Sequence, residues 1–312
     1  MKKTHLAGHL SIFGANFVWG AMSPIIKYVF STGYVSPLVL VSFRMIGAAL
    51  LFWLLSLLTG GEKVTPRDKM LFFLAGMFGV VLNQGLFTFG LQQTSPVDAS
   101  VIATSIPIFT MLIAAFHLRE PMTLKKVSGV LLGAIGAVFL ILSGAEGGLG
   151  GSVVGDILCF AAELFFSCYL VFFKGLISRY SPFTVMKWMF TWSAASVVPF
   201  TFGDIMAVNF SALPVGVIAG VGMSVFFATF LCYLLTSIGQ KSLRPTVVSM
   251  YFYLQPVTAA ILATIMGSAG SFGLVKILSI VMIFTGVGLV MASKSRADIE
   301  GEQKTTALAQ KN

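Results

Sequence analysis

From residue 9 to residue 293 the chain alternates between apolar runs of membrane-crossing length and short polar breaks. A spanning helix needs about 20 mostly apolar residues. Ten runs meet that length, at 9–30, 37–59, 69–92, 96–116, 124–143, 155–174, 182–202, 213–238, 245–266 and 272–293. Composition agrees: 57% of residues are hydrophobic, 10% are charged, and mean hydropathy is +0.93. An average soluble domain carries about 25% charged residues, so this chain has too few to cover a water-facing surface. The fold class expected is an all-α integral membrane protein. The first run is expected to be a retained transmembrane helix, because no small-residue cleavage site follows "MKKTHLAGH".

The charges test the count. Lys63, Arg67 and Lys69 lie in one break, and Arg119, Lys125 and Lys126 in another. Lys174 with Arg179, and Lys241 with Arg244, occupy two more, and both termini are basic as well. These positions hold 16 of the 20 basic residues. The intervening breaks, "STGYVS", "QQTS", "SGAEGGLGGSVV", "GDIMAVNFSAL" and "GSAGS", hold no Lys or Arg. Basic residues mark cytoplasmic loops, so both termini are expected in the cytoplasm, in a cell inner membrane. The net charge of +9 is read this way and not as a nucleic-acid footprint. The polar tail 294–312 is expected to be disordered.

The ten runs are two copies of five. "PVDASVIATSIP" (96–107) and "PTVVSMYFYLQP" (245–256) share two prolines and a serine, Ser100 and Ser249, in one frame. Gly90 and Gly239 keep the same spacing. "GHLSIFGANFVWGAMSPIIK" (8–27) pairs with "GDILCFAAELFFSCYLVFFK" (155–174). The first repeat is taken as 1–146 and the second as 147–293, joined by a glycine-rich segment. Five is odd, so the second copy is inverted relative to the first, as in many alternating-access transporters. Pro107 and Pro256 fall near the middle of the fourth and ninth helices. Each is expected to break its helix, as a structural kink or as a gating hinge.

These segments carry a family resemblance over nearly the whole chain. "FVWGAMSPIIK", with Trp19 and Gly20, is one such segment. "LQQTSPVDASVIATSIPIFTMLIAAFHLREPMTLKKVSGVLLGAIGAVFLIL", with Arg119, Glu120 and Pro121, is another, and a weaker echo follows from 239 to 293. They resemble the EamA-like ten-helix branch of the drug/metabolite transporter superfamily. The second half departs from the pattern, with "SAGS" where a glutamate matching Glu120 is expected. The resemblance implies helices 1–4 and 6–9 around a central cavity, with helices 5 and 10 at the edge. It implies secondary transport, most often export of small metabolites such as amino acids or of drug-like compounds.

Polar residues inside the runs mark the candidate site, because a charged side chain at the bilayer centre costs about 2.5–3.5 kcal/mol on insertion scales. At 1.5 Å per residue, Glu163 lies ~10 Å inside its helix end. Arg44, Asn83 and Gln84 come to similar depth, and Trp19, Ser105 and Gln255 to the midplane. Tyr251 shares a face with Gln255, four residues on. These eight form the candidate substrate-binding layer. Glu163 either binds a substrate ammonium or carries a coupling proton, since removal from water disfavours a charged carboxylate. Arg44 either takes a substrate carboxylate or simply neutralises Glu163. Lys187 is expected to snorkel to the headgroups, and Lys27 and Lys276 to anchor at the interface. "GVLLGAIG" (129–136) is expected to pack helices closely, within the fold or at a homodimer seam.

Other chemistries find no support. No phosphate-binding loop motif occurs, the three histidines are scattered, and the three cysteines sit in apolar runs. No cofactor or metal is expected. The partners expected are a small-molecule substrate, the lipid bilayer and protons, with no nucleic acid, in a monomer or homodimer. An enzyme would need convergent acid–base groups that the chain does not assemble. A scaffold would leave the polar layer without a purpose. Uptake or exchange of a phosphorylated or sugar-linked metabolite would need more buried basic groups than Arg44 and Lys187.

Overall fold

The computed structural model describes residues 2–59, 62–94, 96–143, 152–265 and 273–293, without the side chains of residues 2–4, 23, 24, 27, 59, 96, 97, 263 and 264. The joining segment, "SAGS", the tail and the Lys27 side chain therefore lie outside the described residues. Ten helical spans follow in order: α1 (Lys2–Ser31), α2 (Pro37–Thr59), α3 (Pro66–Gln93), α4 (96–117), α5 (Leu124–Ser143), α6 (Val153–Phe172), α7 (Pro182–Met206), α8 (Val215–Ser242), α9 (245–265) and α10 (Leu274–Met291). Seven of them are long and apolar enough, by length and composition, to cross a membrane. A short helix that the apolar runs did not announce, Lys174–Arg179, links α6 to α7.

The packing pairs the repeats. α3 packs on α6, and α1 packs on α8. α4 packs on α6, and α1 on α9. α2 with α7, and α5 with α10, are pairs that exchange with themselves. This is the pattern of a two-fold relation between two five-helix units. The recurring glycines make it possible. A Cβ at Gly90 would stand 2.7 Å from the carbonyl oxygen of Gly155, where α3 crosses α6. A Cβ at the matching Gly239 would stand 2.1 Å from Ile12 Cγ1, where α8 crosses α1. The "GVLLGAIG" glycines serve the same purpose within the fold. Gly129 and Gly136 lie against the Gly286 and Ser279 carbonyls of α10. α5 and α10 pack mainly on each other, with further contacts to α4 and α9, as the edge position requires.

Regular helix fails at matching places in both halves. α3 loosens into a π segment at Met77–Leu82, and α8 does so at Ser224–Leu231. α4 breaks after Ala103, where the Thr104 and Ser105 amides donate only three residues back, and restarts at Ile106–Pro107. α9 tightens to a 3₁₀ turn at Tyr251–Tyr253, just before Pro256. Proline lacks an amide proton, so it fits a first helical turn, whereas inside a continuous helix, as at Pro199 of α7, it costs a backbone hydrogen bond. The breaks expected at the two prolines are present. The π segments carry no such punctuation and were not anticipated.

The loops holding the basic residues gather at one end, here the basic end. There Asp68 accepts from Arg179 Nη2 (2.9 Å) and from the Tyr180 hydroxyl (2.5 Å). Glu120 accepts from Lys126 Nζ (2.8 Å) and from the Thr246 hydroxyl (2.9 Å). Lys174 donates to the carbonyls of Gln240 and Lys241 at the end of α8. Burial pushes the Lys174 ammonium down to about 8, against the opposing pull of Glu120. At the other end the Ser152 amide donates to the Gln93 carbonyl (3.1 Å), and Thr94 donates to Asp156.

Candidate functional site

The two π segments and the two broken helices surround a polar layer. The π turn of α3 delivers Asn83 and Gln84, and that of α8 delivers Thr229, Cys232 and Tyr233. Wide turns of this kind recur at functional sites because they displace side chains from the regular helical register. Thr229 donates to the Ser224 carbonyl five residues back (3.0 Å), a π-type spacing, and accepts from Arg44 Nε (2.7 Å).

Glu163 on α6 is 5% exposed. Asn83 donates to the neighbouring Ala162 carbonyl (3.1 Å). Among the described residues the ion pairs are Lys126–Glu120 and Arg179–Asp68, both at the basic end. Glu163 and Arg44 are therefore not neutralised by each other. Glu163 lies on α6 and Arg44 on α2, bonded to Thr229 of α8, and Tyr233 of α8 lies within the electrostatic reach of both. A buried carboxylate without a cation is costly unless something binds to it or protonates it.

Gln84 and Tyr233 join α3 to α8. Gln84 Nε2 donates to the Tyr233 hydroxyl (2.9 Å) across 149 positions, the repeat offset itself. The Tyr233 hydroxyl in turn donates to the Gly79 carbonyl (3.2 Å). Repeat mates touching each other must lie on the two-fold axis. Gln84 Oε1 and Ser105 Oγ are buried with no hydrogen-bond partner among the described residues. Trp19 meets Tyr233 edge-on, with centroids 5.6 Å apart, and donates to the Ala228 carbonyl (2.7 Å). Gln255 donates to Asn16 Oδ1 (2.9 Å), and Asn16 is fully buried.

The structure thus brings Trp19, Arg44, Asn83, Gln84 and Glu163 around Tyr233. Gln255 joins through Asn16, and Ser105 lies at the break in α4. Tyr251 points elsewhere, to His9 Nδ1 (2.9 Å), one turn from Gln255. Asn16, Thr229 and Tyr233 went unnoticed in the sequence. The repeat supplied a signal for two of them, since Asn16 aligns with Glu163 and Tyr233 with Gln84.

Lys187 departs from expectation. The Lys187 ammonium does not snorkel: it is buried, donates to the Ser56 hydroxyl (2.8 Å) and lies 4.6 Å from the Trp53 ring centre. A hydroxyl and an aromatic face give it the contacts that headgroups would otherwise supply. Lys276 is buried as well.

A model of the EamA-like transporter family matches residues 6–142 and again residues 153–292. The chain belongs to the EamA-like transporter family. It is a multi-pass membrane transporter of the drug/metabolite transporter superfamily, and the two matches coincide with the two structural repeats. It is 25% identical to the uncharacterized transporter YyaM of Bacillus subtilis, over 91% of this chain and 93% of that one. It is 26% identical to the uncharacterized inner membrane transporter YedA of Escherichia coli K12, over 83% of each. A solved crystal structure with 20% identity superposes with a TM-score of 0.75, over 92% of this chain and 97% of its own, and supports the fold. The family is one of transporters, the class the sequence favoured over an enzyme.

Proposed function

We propose that this EamA-like protein is a secondary active transporter of the inner membrane that exports small metabolites, amino acids or related amines, in exchange for protons. Its two halves alternate access to the polar layer. The observation that carries this reading is Glu163, a buried carboxylate with no cationic partner among the described residues, beside the contact between the repeats. Such a group takes a substrate ammonium in one half-cycle and a proton in the other. Arg44, held by Thr229 and not by Glu163, is free to meet a substrate carboxylate. The basic end is assigned to the cytoplasm on the distribution of Lys and Arg. The name of YedA supports the inner membrane. Exchange of phosphorylated compounds is disfavoured, because Lys187 is committed to Ser56 and Trp53, which leaves Arg44 as the layer's cation.

The test is comparative metabolite analysis of the medium. Bacteria overproducing the wild type, Glu163→Gln and empty vector are compared at matched expression. Enrichment of an amine class by the wild type alone supports the reading. Equal enrichment by the variant removes Glu163 from the mechanism. No enrichment in any strain removes export.

A further inference from the structure

The two ends of the bundle are not alike. One wall consists of α1, α8 and α9, and the other of α3, α4 and α6. At the basic end the walls touch. The second piece of α4 packs on the first turn of α9, and the short helix Lys174–Arg179 packs on the end of α8. Among the described residues, the repeat counterparts at the other end show no packing of that extent. These are the first piece of α4 with the second piece of α9, and the end of α1 with the end of α3.

The basic-end contacts are polar and buried. Tyr169 of α6 donates to Gln240 Oε1 (2.8 Å), and both side chains are 1% exposed. Lys174 caps the α8 carbonyls of Gln240 and Lys241, where a helix C-terminus favours a cation. Lys241 reaches back to the Tyr180 carbonyl (3.0 Å), and Thr246 on α9 bonds Glu120 after α4. The repeat offsets map Tyr169 to Met22, Gln240 to Leu91 and Thr246 to Val97. Three of the matching positions at the other end thus carry no hydrogen-bonding side chain, whereas Lys174 maps to Lys27 and Lys241 to Gln92.

We propose that Tyr169, Gln240, Lys174 and Thr246 form a polar lock that holds the transporter closed at its basic end, while the other end lacks the equivalents of Tyr169, Gln240 and Thr246. The inference rests on the alternating-access reading and adds a resting state to it. The lock makes the form closed at the basic end the favoured one, and substrate arriving from that end must first release it. Gln240 and Thr246 act on transport through the position of the walls and need not touch substrate.

The test gives the basic end the residues of the other end. Hydrogen–deuterium exchange is read by mass spectrometry on the full-length protein in detergent, wild type against Gln240→Leu/Thr246→Val. It requires neither a known substrate nor a coupling ion, so failure of the export assay does not affect it. Loss of two buried hydrogen bonds should speed exchange in the last turn of α8 and the first turn of α9 about tenfold. Exchange in the first piece of α4, at the other end, should slow at the same time. That reciprocal change is the signature of a shifted gate. Faster exchange at the basic end alone means local fraying and overturns the proposal, as does unchanged exchange. Tyr169→Phe removes a single hydroxyl from a position where a ring already fits. It should show the same reciprocal change, smaller in size, if the double variant does not fold.

Discussion

Asn16 on α1 and Glu163 on α6 occupy the same position in the two repeats, and their surroundings match closely. Next to Glu163, Asn83 donates to the Ala162 carbonyl. Next to Asn16, Cys232 donates to the Ala15 carbonyl (3.3 Å), and Cys232 is the repeat mate of Asn83 as Ala15 is of Ala162. The backbone arrangement is the same, but one side chain is a neutral amide held by Gln255 and the other is an acid held by no cation. The symmetry of the backbone is therefore not matched by symmetry of charge: the ionisable side chain of the pair stands in one half. On the proposed exchange reading, a single acid gives each cycle one proton or one ammonium group.

The largest expected effect comes from removing the difference. Glu163→Gln gives the second half an amide like that of the first and keeps the side-chain shape. Export should fall about 100-fold or more, the scale on which a proton-transferring side chain contributes. Wild-type export should change across about pH 5.5 to 8, and residual export by the variant should be flat over that range. Asn16→Gln should retain most of the activity. Equal losses in both variants would mean that the two positions serve packing and that the asymmetry carries no function.

Arg44 gives the next effect. A guanidinium is a fork of donors, and a lysine offers only a point charge, so Arg44→Lys should reduce export about tenfold by losing the Thr229 contact and the planar geometry together. Thr229→Val removes only the acceptor. If Arg44 merely supports the fold, both variants should lower the melting temperature by similar amounts and leave export per folded molecule unchanged.

Much of this symmetry could be read from the sequence, and the limits have physical causes. Apolar run length and the alternation of basic loops were sufficient for ten spans. The proline and glycine spacings revealed the duplication, because Gly90, Gly239, Pro107 and Pro256 are backbone requirements and leave a trace in the chain. Glu163 and Arg44 stood out because charge is rare inside a bilayer. Tyr233 did not, since a tyrosine among 29 phenylalanines and 4 tryptophans looks like ordinary aromatic packing. Its role comes from the π segment that turns it toward Gln84, and a π turn differs from an α turn by one extra residue with no characteristic type. Lys187 was misread because the ring of Trp53, which lies on another helix, was invisible along the chain.

Gly90 and Gly239 test whether equivalent positions carry equivalent loads. A methyl at Gly90 meets Cys159 Sγ and the backbone of Gly155, and one at Gly239 meets Cγ1 of Ile12, which is fully buried and, being β-branched on a helix, held to one rotamer. Gly90→Ala and Gly239→Ala should therefore each cost about 3 kcal/mol, the upper end of the range for overpacked sites. Denaturation in detergent, followed by circular dichroism, reads the two losses. A much smaller loss at one position would mean that its helix pair can separate more easily than the other.

The smallest effect should come from the contact at the axis. Tyr233→Phe removes the hydroxyl that accepts from Gln84 and donates to Gly79, a loss of about 1 kcal/mol. On the proposed alternating-access reading, Gln84 and Tyr233 exchange with each other when the halves swap, so their bond persists in both access states. Its loss should loosen the two states alike. Hydrogen exchange should therefore rise slightly and equally at the two ends, unlike the opposed changes expected from Gln240→Leu/Thr246→Val. An end-selective response to Tyr233→Phe would place this bond off the axis and tie it to one access state. The division between a shared pivot and a one-sided lock would then fail at the pivot.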